Sequence, residues 1–272
     1  MNFFLFTTDL LLAFKAERAG VDGVIVDWES KGKHARQRNH QLEINSDTPQ
    51  DVRALSKELK IPVIVRVNPL GKHTASEINC ALNNGAKIIM LPMAHRVDEV
   101  KAFLKLIDNR AKTIIQIETP SLATDAVNLR MLDWDYAYIG LNDLMVATGQ
   151  SSIWRAIFDG TAESICSCLK GRVFGFGGAT ILGGGEPIIN ALILHELVRI
   201  GGTVSIMRRT FKNELLDRDF NLEMDALRGF IKCSEARGQQ AIQHDHEHLL
   251  RILKDHLNPS VQNVLEKMVV RQ

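Results

Sequence analysis

Glu118 and Asp143 are the two residues whose type and spacing point most directly to chemistry. The first closes the run Thr113-Ile114-Ile115-Gln116-Ile117-Glu118, and the second sits in Tyr138-Ile139-Gly140-Leu141-Asn142-Asp143-Leu144. Each run reads as a buried apolar strand that ends abruptly in a carboxylate and is followed by a helical pattern. Twenty-five residues separate the two acids, about one strand-helix unit. Neighbouring parallel strands of that spacing lie ~5 Å apart and carry both carboxylates at the same sheet edge. Such a pair suits one hard divalent cation and leaves coordination positions for substrate oxygens. The competing role is helix capping, for which Asp143 is well suited.

The elements that must position these acids form a repeating pattern. Strands are expected near Asn2–Phe6, Gly23–Asp27, Ile61–Arg66, Lys87–Leu91, Thr113–Glu118, Tyr136–Gly140, Val173–Phe176 and Thr203–Met207. Most are apolar at both alternating positions, as strands are when helices cover both faces of a parallel sheet. Helical spacing fills the intervals, and Gly20, Gly85 and Gly201 mark helix ends before the next strand. Eight strands each followed by a helix predict a closed (β/α)8 TIM barrel, an α/β fold, with additional C-terminal helices.

Active sites of such barrels lie at the C-terminal strand ends. Asp27, Glu29, Lys31, Lys33, His34 and Arg36 follow the second strand, Arg66 and Asn68 the third, and His95 the fourth. Glu118, Asn142 and Asp143 follow the fifth and sixth, and Arg208 and Arg209 the eighth. Charged groups from separate strands thus gather on one rim. Adjacent strand residues face opposite ways, so only one of Arg208 and Arg209 can point inward, where it can meet an anionic part of a substrate. The glycine-rich stretch Gly175–Gly185 lacks the Lys-Ser/Thr of a nucleotide loop and is expected to be a lid or a tight bend.

Composition narrows the functional classes. The chain has 272 residues, 45% hydrophobic, with a formal charge of +1, so no field of one sign points to nucleic acid or a membrane surface. No apolar stretch spans a bilayer, and Asn2–Phe6 lacks the flanks of a secretory signal. Cys80, Cys166, Cys168 and Cys233 have no paired metal spacing, consistent with a reduced, cytoplasmic protein. Residues 1–221 are expected to form the barrel and 222–272 a helical extension, split by Pro259, that serves as an oligomerisation arm. The run His244-Asp245-His246-Glu247-His248 reads as a solvated helix surface.

The runs Val24-Ile25-Val26-Asp27-Trp28-Glu29, Val65-Arg66-Val67-Asn68, Leu91-Pro92-Met93, Ile117-Glu118-Thr119 and Tyr138–Leu144 occur in order at strand ends. In them the chain resembles the HpcH/HpaI aldolase and citrate lyase β-subunit family of the phosphoenolpyruvate/pyruvate barrel superfamily, over roughly residues 3–210. The resemblance implies a metal-dependent class II aldolase or lyase that acts on a pyruvate-like 2-oxo acid and an aldehyde. It implies Mg2+ or Mn2+ held by Glu118 and Asp143, with Arg66 beside the enolate oxygen. Gly140, Leu141, Asn142 and Asp143 would then receive the substrate carboxylate at a helix start. It also implies a homo-oligomer, a trimer or hexamer.

The sequence departs from the family pattern after the second strand. Aldolases of this family often read Asp-Gly-Glu-His there, whereas this chain reads Asp27-Trp28-Glu29-Ser30. Asp27 and Glu29 stay in the catalytic set with Arg66 and His34, and the base is open among His34, Glu29, Lys31 and a metal-bound water. The missing His favours the alternative of an acyl-CoA lyase of the citrate-lyase or malyl-CoA type, while Ile139–Leu144 and Leu91-Pro92-Met93 sit nearer the aldolase branch; loss of a recognisable base also admits a non-catalytic keto-acid-binding barrel.

Overall fold

The computed structural model describes residues 1–30, 47–208 and 210–258. His34, Lys31, Lys33, Arg36, Arg209 and Pro259 lie outside them. Eight parallel strands close into a barrel in chain order: β1 (Asn2–Phe6), β2 (Gly23–Asp27), β3 (Val63–Arg66), β4 (Ile88–Leu91), β5 (Lys112–Ile117), β6 (Tyr136–Ile139), β7 (Phe174–Ala179) and β8 (Val204–Met207). The predicted (β/α)8 architecture is therefore present. Strand limits agree within two residues except at β7, which runs on through Gly177, Gly178 and Ala179. The start of the glycine-rich stretch is thus sheet, with a register shift against β8 between Gly175 and Gly178.

Alternation along the strands divides the core in two. Ile25, Ile64, Ile88, Met90, Ile114, Tyr138, Val204 and Ile206 fill the barrel interior. Their neighbours Val24, Val26, Val63, Val65, Ile89, Ile115, Ile139 and Phe176 pack outward against the helices. Continuing the inward parity past the strand ends reaches Asp27 and Glu29, Arg66, Gln116 and Glu118, and Arg208. These all line the mouth of the barrel.

The described part of the C-terminal segment packs on the chain's own barrel. Its first helix, Phe220–Glu235, buries Met224, Leu227 and Ile231 against Phe3, Leu5 and Ala16 of the chain's own barrel. It meets the helices Leu10–Arg18 and Asn190–Ile200 and so fills the place of the eighth barrel helix. The second helix, Gln239–His256, buries Leu249 and Leu253 in the outer core. The break between them falls at Arg237 and Gly238, ahead of Pro259. Nor does the histidine run simply face water: His246 meets Glu196 at 3.0 Å and Asp245 pairs with Arg237.

Candidate active site

A cavity of about 640 Å3 opens at the C-terminal rim. It brings together Asp27, Glu29, Arg66, Glu118, Gly140, Leu141, Asn142, Asp143 and Arg208, every sequence-predicted site residue within the described part of the chain.

Register explains the first contact. Asp27 and Arg66 are direct partners across β2 and β3. The Arg66 guanidinium donates from Nε to Asp27 Oδ1 at 2.9 Å and from a terminal nitrogen to Asp27 Oδ2 at 2.7 Å. Its other terminal nitrogen lies 3.4 Å from Glu29. Burial would lower the Arg66 pKa, but Asp27, Glu29 and Glu118 outweigh it and hold the guanidinium firmly charged. Asp27 and Glu29 therefore fix the direction of Arg66. Ser30, in place of the family histidine, is tied down as well: its N–H donates to Asn68 Oδ1 at 3.0 Å.

Glu118 is buried just beyond β5. Its Oε1 accepts the Met93 N–H at 2.9 Å and its Oε2 accepts the Gln116 amide at 3.0 Å. Met93 holds a left-handed backbone, φ 54°, which is uncommon for a side chain of its size and is maintained where a backbone N–H is aimed at the acid. On β6, Gly140 leaves room: a Cβ there would stand 2.3 Å from Glu118 Oε2. Its N–H donates to Ile117 at 3.1 Å, carrying the β5–β6 ladder to the acid. Asp143 follows in the first turn of the helix Leu141–Ala147.

Burial, then the charges of Asp143 and Glu29, push the Glu118 pKa up to about 8, against the opposing pull of Arg66 and the Met93 N–H. The carboxylates thus stand close enough to resist joint ionisation. Five carboxylates (Asp27, Glu29, Asp47, Glu118 and Asp143) and three cations (Arg66, Arg208 and Lys212) line the cavity among the described residues, an excess of two negative charges when all are ionised. Gln116 Oε1 is buried there without a hydrogen-bond partner among those residues. Buried acids, surplus negative charge and an unmatched oxygen acceptor fit a hard divalent cation.

A second set of acids gives an instructive contrast. Glu163, Glu196 and His246 bring ligand-type atoms within 4.8 Å of one another on the outer helices. Arg199 already bridges its two carboxylates, at 2.8 Å from each. That cluster is an ion-pair network, already bridged by Arg199, which fastens the last described helix to the barrel.

Several cavity residues escaped the sequence reading. Asp47 accepts the Asp27 N–H at 2.8 Å; its pKa is raised by burial, and Asp27 and Asp51 add to the rise. It sits in the β2–β3 connection just before the helix Pro49–Glu58, far in sequence from any strand terminus. Tyr138 donates to the Gly177 carbonyl at 2.6 Å, and burial raises its pKa. The inward parity of β6 would have identified it. Trp154, Lys212 and Asn213 come from loop and short-helix segments with no strand pattern to place them.

Fold and site define a lyase-type barrel enzyme with its chemistry on the C-terminal rim. The HpcH/HpaI aldolase/citrate lyase family matches residues 1–153, more than half of the chain, and the chain belongs to that family, whose members typically depend on a metal. Among solved structures, the citrate synthase SbnG superposes with a TM-score of 0.59 at 17% identity, covering 84% of this chain and 94% of that one. RipC from Yersinia pestis gives 0.55 at 14% identity, covering 89% and 98%. A citrate lyase from Burkholderia xenovorans LB400 gives 0.58 at 12% identity, covering 93% and 82%. At these identities the likeness establishes the fold. No curated protein sequence matches the chain. Among the described residues, no helix is long and apolar enough to cross a membrane.

Proposed function

We propose that this protein is a metal-dependent class II aldolase or lyase that makes and breaks the carbon–carbon bond beside a pyruvate-like enolate. Glu118 and Asp143 are its protein ligands for Mg2+ or Mn2+. The observation that carries this reading is the buried Glu118, its pKa raised beside Asp143, in a cavity where five carboxylates face three cations and Arg66 is fixed. When bound, the cation supplies Lewis-acid polarisation of the 2-oxo acid and neutralises the carboxylates.

The chain's own residues do the rest. Arg66, immobilised by Asp27 and Glu29, presents positive charge where the enolate oxygen becomes negative, at no cost of reorganisation. The first turn after Gly140 has N–H groups without intrahelical partners, and these receive the substrate carboxylate. In cleavage, the hydroxyl next to the scissile bond gives its proton to a base. The aldehyde forms, and the bonding electron pair moves into the enolate, which then takes a proton at carbon to give the 2-oxo acid. Condensation runs the same steps backwards.

Deuterium exchange into the pyruvate methyl group, followed by NMR in D2O, tests the reading without knowledge of the aldehyde. Exchange dependent on Mg2+ or Mn2+, lost with chelator and in Glu118→Gln, is expected. Bound metal and pyruvate with no exchange would reject the aldolase; turnover of CoA esters would then mark an acyl-CoA lyase, and its absence a keto-acid-binding barrel. The protein works in the cytoplasm as a homo-oligomer, a trimer or hexamer. The exposed apolar side chains Leu11, Leu216 and Leu222 support self-association.

A further inference from the structure

We infer that Asp47 is the general base of this site: it takes the proton of the hydroxyl beside the scissile bond and returns it to the enolate carbon. The inference deepens the aldolase or lyase reading and rests on it.

The reaction needs a proton acceptor, and the described residues of the cavity offer few. Asp27 and Glu29 meet Arg66, at 2.7 and 3.4 Å. Glu118 and Asp143 are assigned to the cation. The Tyr138 hydroxyl donates to the Gly177 carbonyl at 2.6 Å, and burial makes it hold its proton more tightly. Arg66, Arg208 and Lys212 are cations with no lone pair for a further proton. Ser30 is tied to Asn68, by its N–H at 3.0 Å and its hydroxyl at 3.4 Å. His95 does not line the cavity; its Nδ1 lies 3.5 Å from the Ser121 hydroxyl. Asp47 is the cavity carboxylate that remains.

Its placement is built in. β1 ends at Phe6, opposite Ile25, while the Trp28 N–H turns to Arg66 on β3. The Asp27 N–H, on the β1 edge, has therefore outrun its neighbouring strand, and Asp47 Oδ2 accepts it at 2.8 Å. The next residue, Thr48, opens the helix Pro49–Glu58 with a reciprocal cap to Asp51, which fixes the backbone that carries Asp47. One oxygen is thus anchored beside the acid that grips Arg66. The other, Oδ1, has no hydrogen-bond partner, and Asp47 has no ion pair, among the described residues. Nor is Oδ1 sealed in protein, unlike the unmatched terminal nitrogen of Arg208.

Three other charged groups act on Asp47: Asp27 on β2, Asp51 on the helix that follows it, and Lys212 on the helix Thr210–Glu214. Burial raises the Asp47 pKa; the Asp27 N–H opposes, the charges of Asp27 and Asp51 add to the rise, and Lys212 subtracts. A carboxylate moved in that direction is a stronger base and still ionises below neutrality. In cleavage the hydroxyl proton passes to Oδ1, the freed O–H electron pair completes the aldehyde carbonyl, and the carbon–carbon pair enters the enolate. The protonated Asp47 then gives its proton to the enolate carbon, which restores the carboxylate. Only one carbon separates the hydroxyl oxygen from that carbon, so a single carboxylate can serve both transfers.

The test follows deuterium exchange into the pyruvate methyl group of the full chain at saturating Mg2+ or Mn2+. Asp47→Asn keeps an oxygen for the Asp27 N–H and should slow exchange by about 100-fold or more, the scale of a lost general base. Oxalate, an enolate mimic with no proton to lose, should with the metal still raise the Tm of this variant as it does for the unsubstituted chain. Asp47→Ala should also lose exchange and regain part of it when formate is added, a rescue that a purely structural carboxylate would not show. Exchange at the original rate in Asp47→Asn, loss of its oxalate response, or no formate rescue of Asp47→Ala would each overturn the assignment of the base alone. No exchange in the unsubstituted chain would overturn the aldolase reading, and the base with it.

Discussion

The sharpest consequence of the carboxylate cluster is a pH-dependent stability that one substitution should remove. Glu118 titrates at about 8 in the folded chain against an ordinary value of 4.5. Between those values the folded state holds a proton that the unfolded state has released. The contribution is therefore fully present below pH 4.5 and is lost as pH rises through 8. At about 1.4 kcal/mol per pH unit, the metal-free protein should lose on the order of 2 kcal/mol between pH 6 and pH 8. For a chain of this length that is roughly 5 °C in Tm. A divalent cation binds the ionised form and reverses the trend; at a hundred times its Kd it adds about 2.7 kcal/mol. Glu118→Gln should flatten the metal-free slope and remove the cation response. The amide fits the site, since its oxygen can accept the Met93 N–H and its NH2 can meet the unmatched Gln116 Oε1 after that amide turns over. Scanning calorimetry at pH 6, 7 and 8, with chelator or with Mn2+, makes the measurement. Equal metal-free slopes in the two proteins would refute the assignment of the proton to Glu118. Equal stabilisation by Mn2+ would refute its role as a ligand.

Three further outcomes are expected. Gly140→Ala forces a Cβ against Glu118 Oε2 and should reduce metal-dependent methyl exchange by roughly 100-fold while the barrel still forms, as circular dichroism would verify. Asp47→Asn removes a cavity carboxylate whose pKa is raised by burial; if Asp47 moves a proton, the acid limb of the exchange pH profile should disappear, whereas a purely structural Asp47 would leave that limb in place. Met224→Ala empties a fully buried position between the helix Phe220–Glu235 and β1 and should cost about 2–5 kcal/mol in denaturant unfolding; a value near zero would show that this helix does not dock on its own barrel.

The fold was legible because it is written in local periodicity. Runs such as Val24-Ile25-Val26 and Ile114-Ile115 are apolar at both parities, which only a sheet covered on both faces requires. What the tail packs against was not legible, because helical amphipathicity gives a face without naming what covers it. Met224, Leu227 and Ile231 would suit a neighbouring subunit as well as the Phe3 and Leu5 they meet. The glycines of β7 look like loop by propensity, yet Gly175 and Gly178 sit in strand because neighbouring atoms approach too closely for a side chain: a Cβ on Gly175 would stand 1.7 Å from the Val204 carbonyl oxygen.

The site divides along the same line. Parity carried from the strands places Asp27, Arg66, Glu118 and Arg208 on one interior surface, so their convergence follows from sequence once the barrel is accepted. Their division of labour does not, because it depends on which charges touch. Asp27 and Glu29 read alike as strand-end acids of the catalytic set; in the fold both meet Arg66, and the Asp27 contact follows from the β2–β3 register, which places Asp27 opposite Arg66. Two arginines at two strand ends look alike in sequence. In the fold one is held by carboxylates, and the other is seated on an aromatic ring with one terminal nitrogen buried and unmatched among the described residues.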